Sequence, residues 1–240
     1  MGRESFDVLI LTGRPASGKS EIIDFLTRTP PEERRRRFHL AELDVLDDFP
    51  MLWAWFEEDH ILAERLGQPR LHTDAEGYFR YPYLWPLLIE RLSLEYHKRL
   101  RDDAAYHART TALIEFSRGG EHGGYAEAFL HLADDLLQRA GVVYVRVSFE
   151  ESLRKNRRRF NPDRPDSILE HALSDEKLER LYRDDDWDTF SGGEDAGFLA
   201  VQGVRVPFVV FGNEGNLENV IDGDKLADVL DRLWVLYTSR

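Results

Sequence analysis

The run Asp7 to Leu26, DVLILTGRPASGKSEIIDFL, contains residues with the types and spacing to hold a polyphosphate. Gly13-Arg14-Pro15-Ala16-Ser17-Gly18-Lys19-Ser20 fits the pattern Gly-x4-Gly-Lys-Ser/Thr, after an apolar run and before an amphipathic one, the context that such a cradle requires. Gly13 and Gly18 let the backbone turn successive N–H groups inward, and a helix starting near Gly18 directs its positive end at the same point. Lys19 is expected to reach the β and γ phosphates, and the Ser20 hydroxyl to ligate Mg²⁺. With 17 glycines in 240 residues, a chance match arises in roughly two chains in a thousand. A plain glycine turn would not need the lysine and the hydroxyl together.

Three further groups of residues could act on a bound phosphate. AELDVLDDF places Asp44, Asp47 and Asp48 just past an apolar run; Asp44 is the first choice to orient an acceptor hydroxyl and take its proton. Capping of the following FPMLWAWF helix is the other use of an aspartate here, and suits Asp47 or Asp48. TALIEFSRGGEHGGY carries Glu115 inside apolar surroundings, where a carboxylate needs a metal, a water or an arginine. Arg118 is a candidate for that partner or for a substrate contact. The glycines at 119, 120, 123 and 124 are explained almost as well by a flexible loop. Finally, SFEESLRKNRRRFNPDRPDSILEHAL concentrates arginines in an acidic protein. Residues 154, 157 and 158 share a helical face, and Arg157, Arg158 and Arg164 are the candidates to neutralise a transferring phosphoryl group. A solvated helix face, with Glu150 and Glu151 as partners, is the alternative. In FGNEGNLEN, the glycines and Asn213 and Asn216 have the types that a turn needs.

The cradle at 13–20, the acidic end of the second apolar run and the arginine-bearing segment after the fourth together resemble the nucleotide and shikimate kinase group of P-loop proteins. That resemblance implies a three-layer α/β P-loop NTPase fold with a parallel five-stranded sheet ordered 2-3-1-4-5, a helical substrate cap and a mobile lid. It also implies ATP and Mg²⁺ as cofactors, an aspartate at the second strand end near the acceptor hydroxyl or the metal, Glu115 holding a Mg²⁺ water, and the loop FGNEGNLEN against the adenine, where Asn213 or Asn216 could hydrogen-bond the base. The activity it implies is transfer of the γ-phosphoryl group of ATP to a small-molecule acceptor. A regulatory ATPase serving a protein partner and a polynucleotide-end kinase are the competing readings. The guanine-reading Asn-Lys-x-Asp pattern is absent.

The elements that must position these residues follow from periodicity. Strands are expected at Asp7–Leu11, Phe38–Leu43, Thr111–Phe116, Val142–Phe149 and Val206–Phe211, with helical segments between them. Alternating strands and helices point to a mostly parallel sheet covered on both faces. The long second-to-third gap predicts an inserted helical cap at about 50–110. The fourth-to-fifth gap is similarly long and carries the basic segment, whose resemblance to the lid pattern of shikimate kinases implies a lid over about 150–186. The length suits one domain over 1–240. A net charge of -13 disfavours long nucleic acid as a partner, and the absence of cysteine excludes disulfides and thiolate metal sites. No run approaches a membrane span, so a cytoplasmic protein is expected.

Overall fold

The computed structural model describes residues 4–159, 173–215 and 220–240. Its first strand, β1 (Val8–Gly13), shows how the sheet is covered. Val8 and Ile10 join one apolar cluster, while Leu9 and Leu11 join another on the opposite face. Branched aliphatics buried on both sides are what a central parallel strand requires. Along the chain follow α1 (Lys19–Arg28), α2 (Pro31–Phe38), β2 (Glu42–Asp47), α3 (Phe49–Glu64), α4 (Leu84–Asp102), α5 (Tyr106–Arg109) and β3 (Thr110–Phe116). Then come α6 (Gly124–Leu130), α7 (Asp134–Leu137), β4 (Ala140–Arg146), α8 (Phe149–Arg159), α9 (Asp175–Tyr182), α10 (Trp187–Ser191), β5 (Ala196–Val201), β6 (Val204–Gly212) and α11 (Gly223–Thr238).

The described residues form a six-stranded, mostly parallel sheet ordered β2-β3-β1-β4-β6-β5, an α/β architecture of the P-loop NTPase-like kind. The five strands expected from sequence are present, parallel and in the expected order. The addition is β5, which runs antiparallel to β6 at the edge. Gln202 and Gly203 join the two with φ of 49° and 81°, both positive as a tight hairpin turn demands. The signal was visible as Gln-Gly flanked by alternating apolar residues.

One face of the sheet is packed by Leu92 and Tyr96 of α4, Tyr125 and Phe129 of α6, and Trp187. The other is packed by Ile22 and Leu26 of α1 and by Leu226, Leu230 and Leu233 of α11. Each such aliphatic side chain contributes about 1.5–3 kcal/mol when fully buried. Smaller clusters hold α3 to α4 through Trp55, Leu84 and Leu88, and α8 to α9 through Phe149, Leu178 and Tyr182. Among the described residues no helix is long and apolar enough to cross a membrane.

The second strand lies later than periodicity suggests. PPEERRRRF is helical, with proline at its start, glutamates in its first turn and arginines in its last. Its Phe38 packs edge-on against Phe25 at 5.7 Å rather than opening a strand, and β2 therefore runs from Glu42 to Asp47. Arg34 is buried and donates to the Leu26 and Ala41 carbonyls at 3.1 and 3.0 Å, tying α1 to the approach of β2.

Candidate functional site

At the carboxyl end of β1 the chain turns through a loop with positive φ at Gly13 (152°), Ala16 (54°) and Gly18 (109°), then enters α1 at Lys19. A Cβ at Gly13 would stand 2.5 Å from the Val145 carbonyl oxygen, so the first glycine is set by the neighbouring strand β4. Lys19 is buried and folds back over its own loop, donating to the carbonyls of Gly13 and Arg14 at 3.2 and 3.1 Å and to Ser117 Oγ at 2.7 Å. Burial pushes its ammonium below the ordinary value, opposed by Glu115, whose Oε1 lies 3.8 Å away.

Three carboxylates meet this lysine because neighbouring parallel strands end level with one another. Asp47 closes β2 in register with Glu115 of β3, and Asp48 follows it. Burial, reinforced by Glu115 and Asp48, pushes the Asp47 carboxyl up to about 7. Burial also raises Glu115 and Asp48. Asp48 is matched by the buried guanidinium of Arg118, whose Nη1 lies 2.7 Å from Oδ2; Arg118 also donates to the Trp85 carbonyl at 3.2 Å. These residues line a cleft of about 910 Å³ that runs from the cradle between α3 and α9.

The segment after β4 approaches the same cleft with one face of α8. Ser152 donates to the Pro15 carbonyl at 2.7 Å, Lys155 Nζ to the Asn213 carbonyl at 3.3 Å, and Arg159 Nη2 lies 3.4 Å from Ser20 Oγ. Arg14 turns outward from the loop instead, donating to the Tyr182 and Arg183 carbonyls at 3.1 and 3.0 Å and pairing with Asp185 at 2.9 Å. The cradle is thus tied to the end of α9. That same stretch explains the glycines after Arg118: a Cβ at Gly119 would overlap the Leu181 carbonyl, and one at Gly124 the Asp186 carboxylate. Asp186 accepts from the Tyr125 and Ala126 N–H groups at 2.6 and 3.0 Å at the start of α6. At positions 119 and 124 close packing, not looseness, requires glycine.

The structure therefore brings together Gly13 to Ser20, Glu115 and Arg118 of the sequence-derived set, and leaves others apart. Asp44 faces away from the cradle, accepting from Tyr106 Oη at 2.9 Å and Arg99 Nε at 3.2 Å, because β2 extends three residues beyond it. Arg157 is exposed and pairs with Asp175 at 2.7 Å; Arg158 is exposed as well, and neither lines the cleft. Arg164 and Asn216 lie outside the described residues. The buried side chain of Asn213 donates to the Ser17 carbonyl at 2.8 Å, so it props the loop from beneath instead of facing a base. Sequence reasoning gave Asp47 a capping role, which the Phe49 N–H bears out by donating to its Oδ1 at 2.9 Å, but did not place it in the cleft, and it did not single out Arg159. The α8 face that meets the loop is 152, 155, 156 and 159, and the alternation of apolar Leu153 with small Ser152 was the only hint of its phase.

As a site for a magnesium–nucleotide complex the residues are suited in kind. Burial and neighbouring carboxylates raise the pKa of both Asp47 and Glu115 at the mouth of the cradle, a rise that Lys19 offsets in part, helped by the Phe49 N–H at Asp47 and by Arg159 at Glu115. A divalent cation would relieve that repulsion, and Ser20 lines the same cleft.

No family model matches the chain, and no curated protein matches it in sequence. Among solved structures it is similar to a shikimate kinase from Acinetobacter baumannii in complex with shikimate, at 14% identity over 98% of this chain and 95% of that one, with a TM-score of 0.37. It is also similar to TT1252 from Thermus thermophilus, at 16% identity over 98% and 97% of the two chains, with a TM-score of 0.39. Likenesses this distant say nothing of what the chain binds.

Proposed function

We propose that the protein is an ATP-dependent phosphotransferase that moves the γ-phosphoryl group of ATP to the hydroxyl of a small molecule. The observation that carries this reading is a phosphate cradle opening onto the same cleft as a carboxylate of raised pKa, with room for a second substrate beside it. Backbone N–H groups of residues 13–20 would hold the triphosphate, with Lys19 leaving its loop carbonyls for the β and γ oxygens. Ser20 and Glu115 would hold Mg²⁺, which lowers the charge on the phosphates. Asp47, not Asp44, would accept the proton as the acceptor oxygen bonds to the γ phosphorus and the bond from phosphorus to the β–γ bridging oxygen breaks, releasing ADP. Arg159 would face the transferring group, and Arg118 would keep Asp48 in place at the cleft floor.

In this reading the 1–240 chain acts as one kinase-like domain, with residues 50–110 as the substrate cap and 150–186 as the lid. Shielding the reaction from water is their task. The Arg14 clasp favours a second reading, a regulatory ATPase, because it would pass a change in the loop to α9 and so to a protein partner. The two separate in one assay. ADP release from Mg·ATP should be slow alone and rise with one member of a metabolite panel, with a phosphorylated product detected by mass; Lys19→Ala should abolish it. Fast hydrolysis without acceptor would favour the ATPase.

A further inference from the structure

The wall of the cleft beyond the carboxylates is aromatic. Phe49, Trp53 and Phe56 recur at helical spacing along α3 and face the cleft, with Phe79 and Trp85 on the opposing side. The Phe56 and Phe79 rings stand 6.0 Å apart, and those of Phe79 and Trp85 4.5 Å. Phe49, Trp53 and Phe56 are not what fastens the helix. That work falls to Trp55 on the other face, which stacks on His72 at 4.9 Å and joins Leu84 and Leu88, with Phe79 and Trp85 packed against them. Aromatic side chains turned to a cavity forgo burial that a core position would give, and a flat ligand restores it.

The charges there are balanced. Six basic and six acidic side chains line the cleft. Beyond the cradle, Arg118 is matched to Asp48 at 2.7 Å and Arg180 to Glu121 at 3.1 Å, while Arg70 donates to Thr73 Oγ1 at 3.2 Å and Lys177 to the Gly77 carbonyl at 3.3 Å. Summed over the whole lining, an anionic acceptor would meet no net positive charge. One polar group does await a partner. His122, 5% exposed, stacks on Trp85 at 3.7 Å. Its Nδ1 accepts from the Gly119 N–H at 3.2 Å, which puts the ring proton on Nε2, and Nε2 has no partner. Burial, with Arg118 nearby, lowers its pKa to about 2, so the ring stays neutral. A buried donor left unpaired is costly, and a ligand oxygen or ring nitrogen would satisfy it.

Resting on the phosphotransferase reading, we infer that the acceptor is an uncharged, planar ring compound bearing a hydroxyl, of the nucleoside or hydroxymethyl-heterocycle kind, stacked among Trp53, Phe56, Phe79 and Trp85 and accepting a hydrogen bond from His122 Nε2. Discrimination against the phosphorylated or carboxylated analogue follows from the balanced lining.

The test titrates the protein, saturated with Mg²⁺ and the non-hydrolysable analogue AMP-PNP, with adenosine, uridine and pyridoxine, and in parallel with AMP, UMP and shikimate. The readout is quenching of tryptophan fluorescence. Saturable quenching by at least one neutral ring compound, with its anionic counterpart at least about tenfold weaker, is the expected result. Trp53→Leu and Phe56→Leu should each raise the acceptor KM about five- to tenfold while AMP-PNP binding is kept, which also shows that the variants fold. Tighter binding of the anions overturns the inference, as does the absence of saturable binding by any neutral ring while AMP-PNP binds. Ring binding without AMP-PNP binding would instead refute the phosphotransferase reading and leave the ring site standing. Binding of neither overturns both.

Discussion

Asp47→Asn tests the charge arrangement of the site without reference to any substrate. The carboxyl is half-buried, beside Glu115 and Asp48, and its pKa rises from 3.8 to about 7. A carboxyl that is harder to ionise in the native state contributes stability below its unfolded value, near pH 4, and that contribution is lost as pH rises toward 7. At about 1.36 kcal/mol per pH unit, the part of this window above about pH 5.5 is worth about 2 kcal/mol. Asparagine mimics the protonated acid and can still accept from the Phe49 N–H, the 2.9 Å bond that starts α3. The variant should therefore gain about 2 kcal/mol over wild type between about pH 5.5 and about pH 8, or about 4–8 °C in Tm, measured by urea and thermal unfolding without magnesium. Taking the difference between variant and wild type removes most other titrations. Phosphoryl transfer by wild type should meanwhile fall off below about pH 7 in kcat/KM, and the variant should lack transfer. A stability difference that does not change with pH, or that favours wild type more strongly at the alkaline end, would refute the placement of the proton on Asp47.

Arg159→Ala should lower turnover about 10³-fold while nucleotide binding is mostly kept, whereas Arg157→Ala, whose partner is the exposed Asp175, should change steady-state kinetics little. Arg118→Met should cost about 3–5 kcal/mol in urea unfolding, because Asp48 is left buried without its cation, and adding Asp48→Asn should restore part of it. Gly119→Ala should force the Leu181 carbonyl away, costing about 1–3 kcal/mol and raising hydrogen exchange over residues 181–186; unchanged exchange there would show that the close approach is not needed.

The sequence by itself determined the cradle and the scaffold beneath it. Fixed glycines, a lysine and a hydroxyl are local chemistry, readable because strand, loop and helix are contiguous, and the branched runs Val8–Leu11 and Ala112–Ile114 can only be central strands. Glu115 and Arg118 were legible for a related reason: both sit within three residues of a strand end whose position the apolar run fixes. What only the tertiary structure decided is which aspartate and which arginines stand opposite that cradle. Asp47 rather than Asp44 reaches it because register between β2 and β3, a non-local pairing, sets where the edge strand stops. Arg159 rather than Arg157 or Arg158 faces it because the phase of α8 is set by Ser152 bonding to the Pro15 carbonyl and by Phe149 packing on α9. The glycines at 119 and 124 likewise look like freedom in the sequence and prove to be contact in the fold. A side chain's type is written in the chain, but the direction it faces depends on partners that lie tens of residues away.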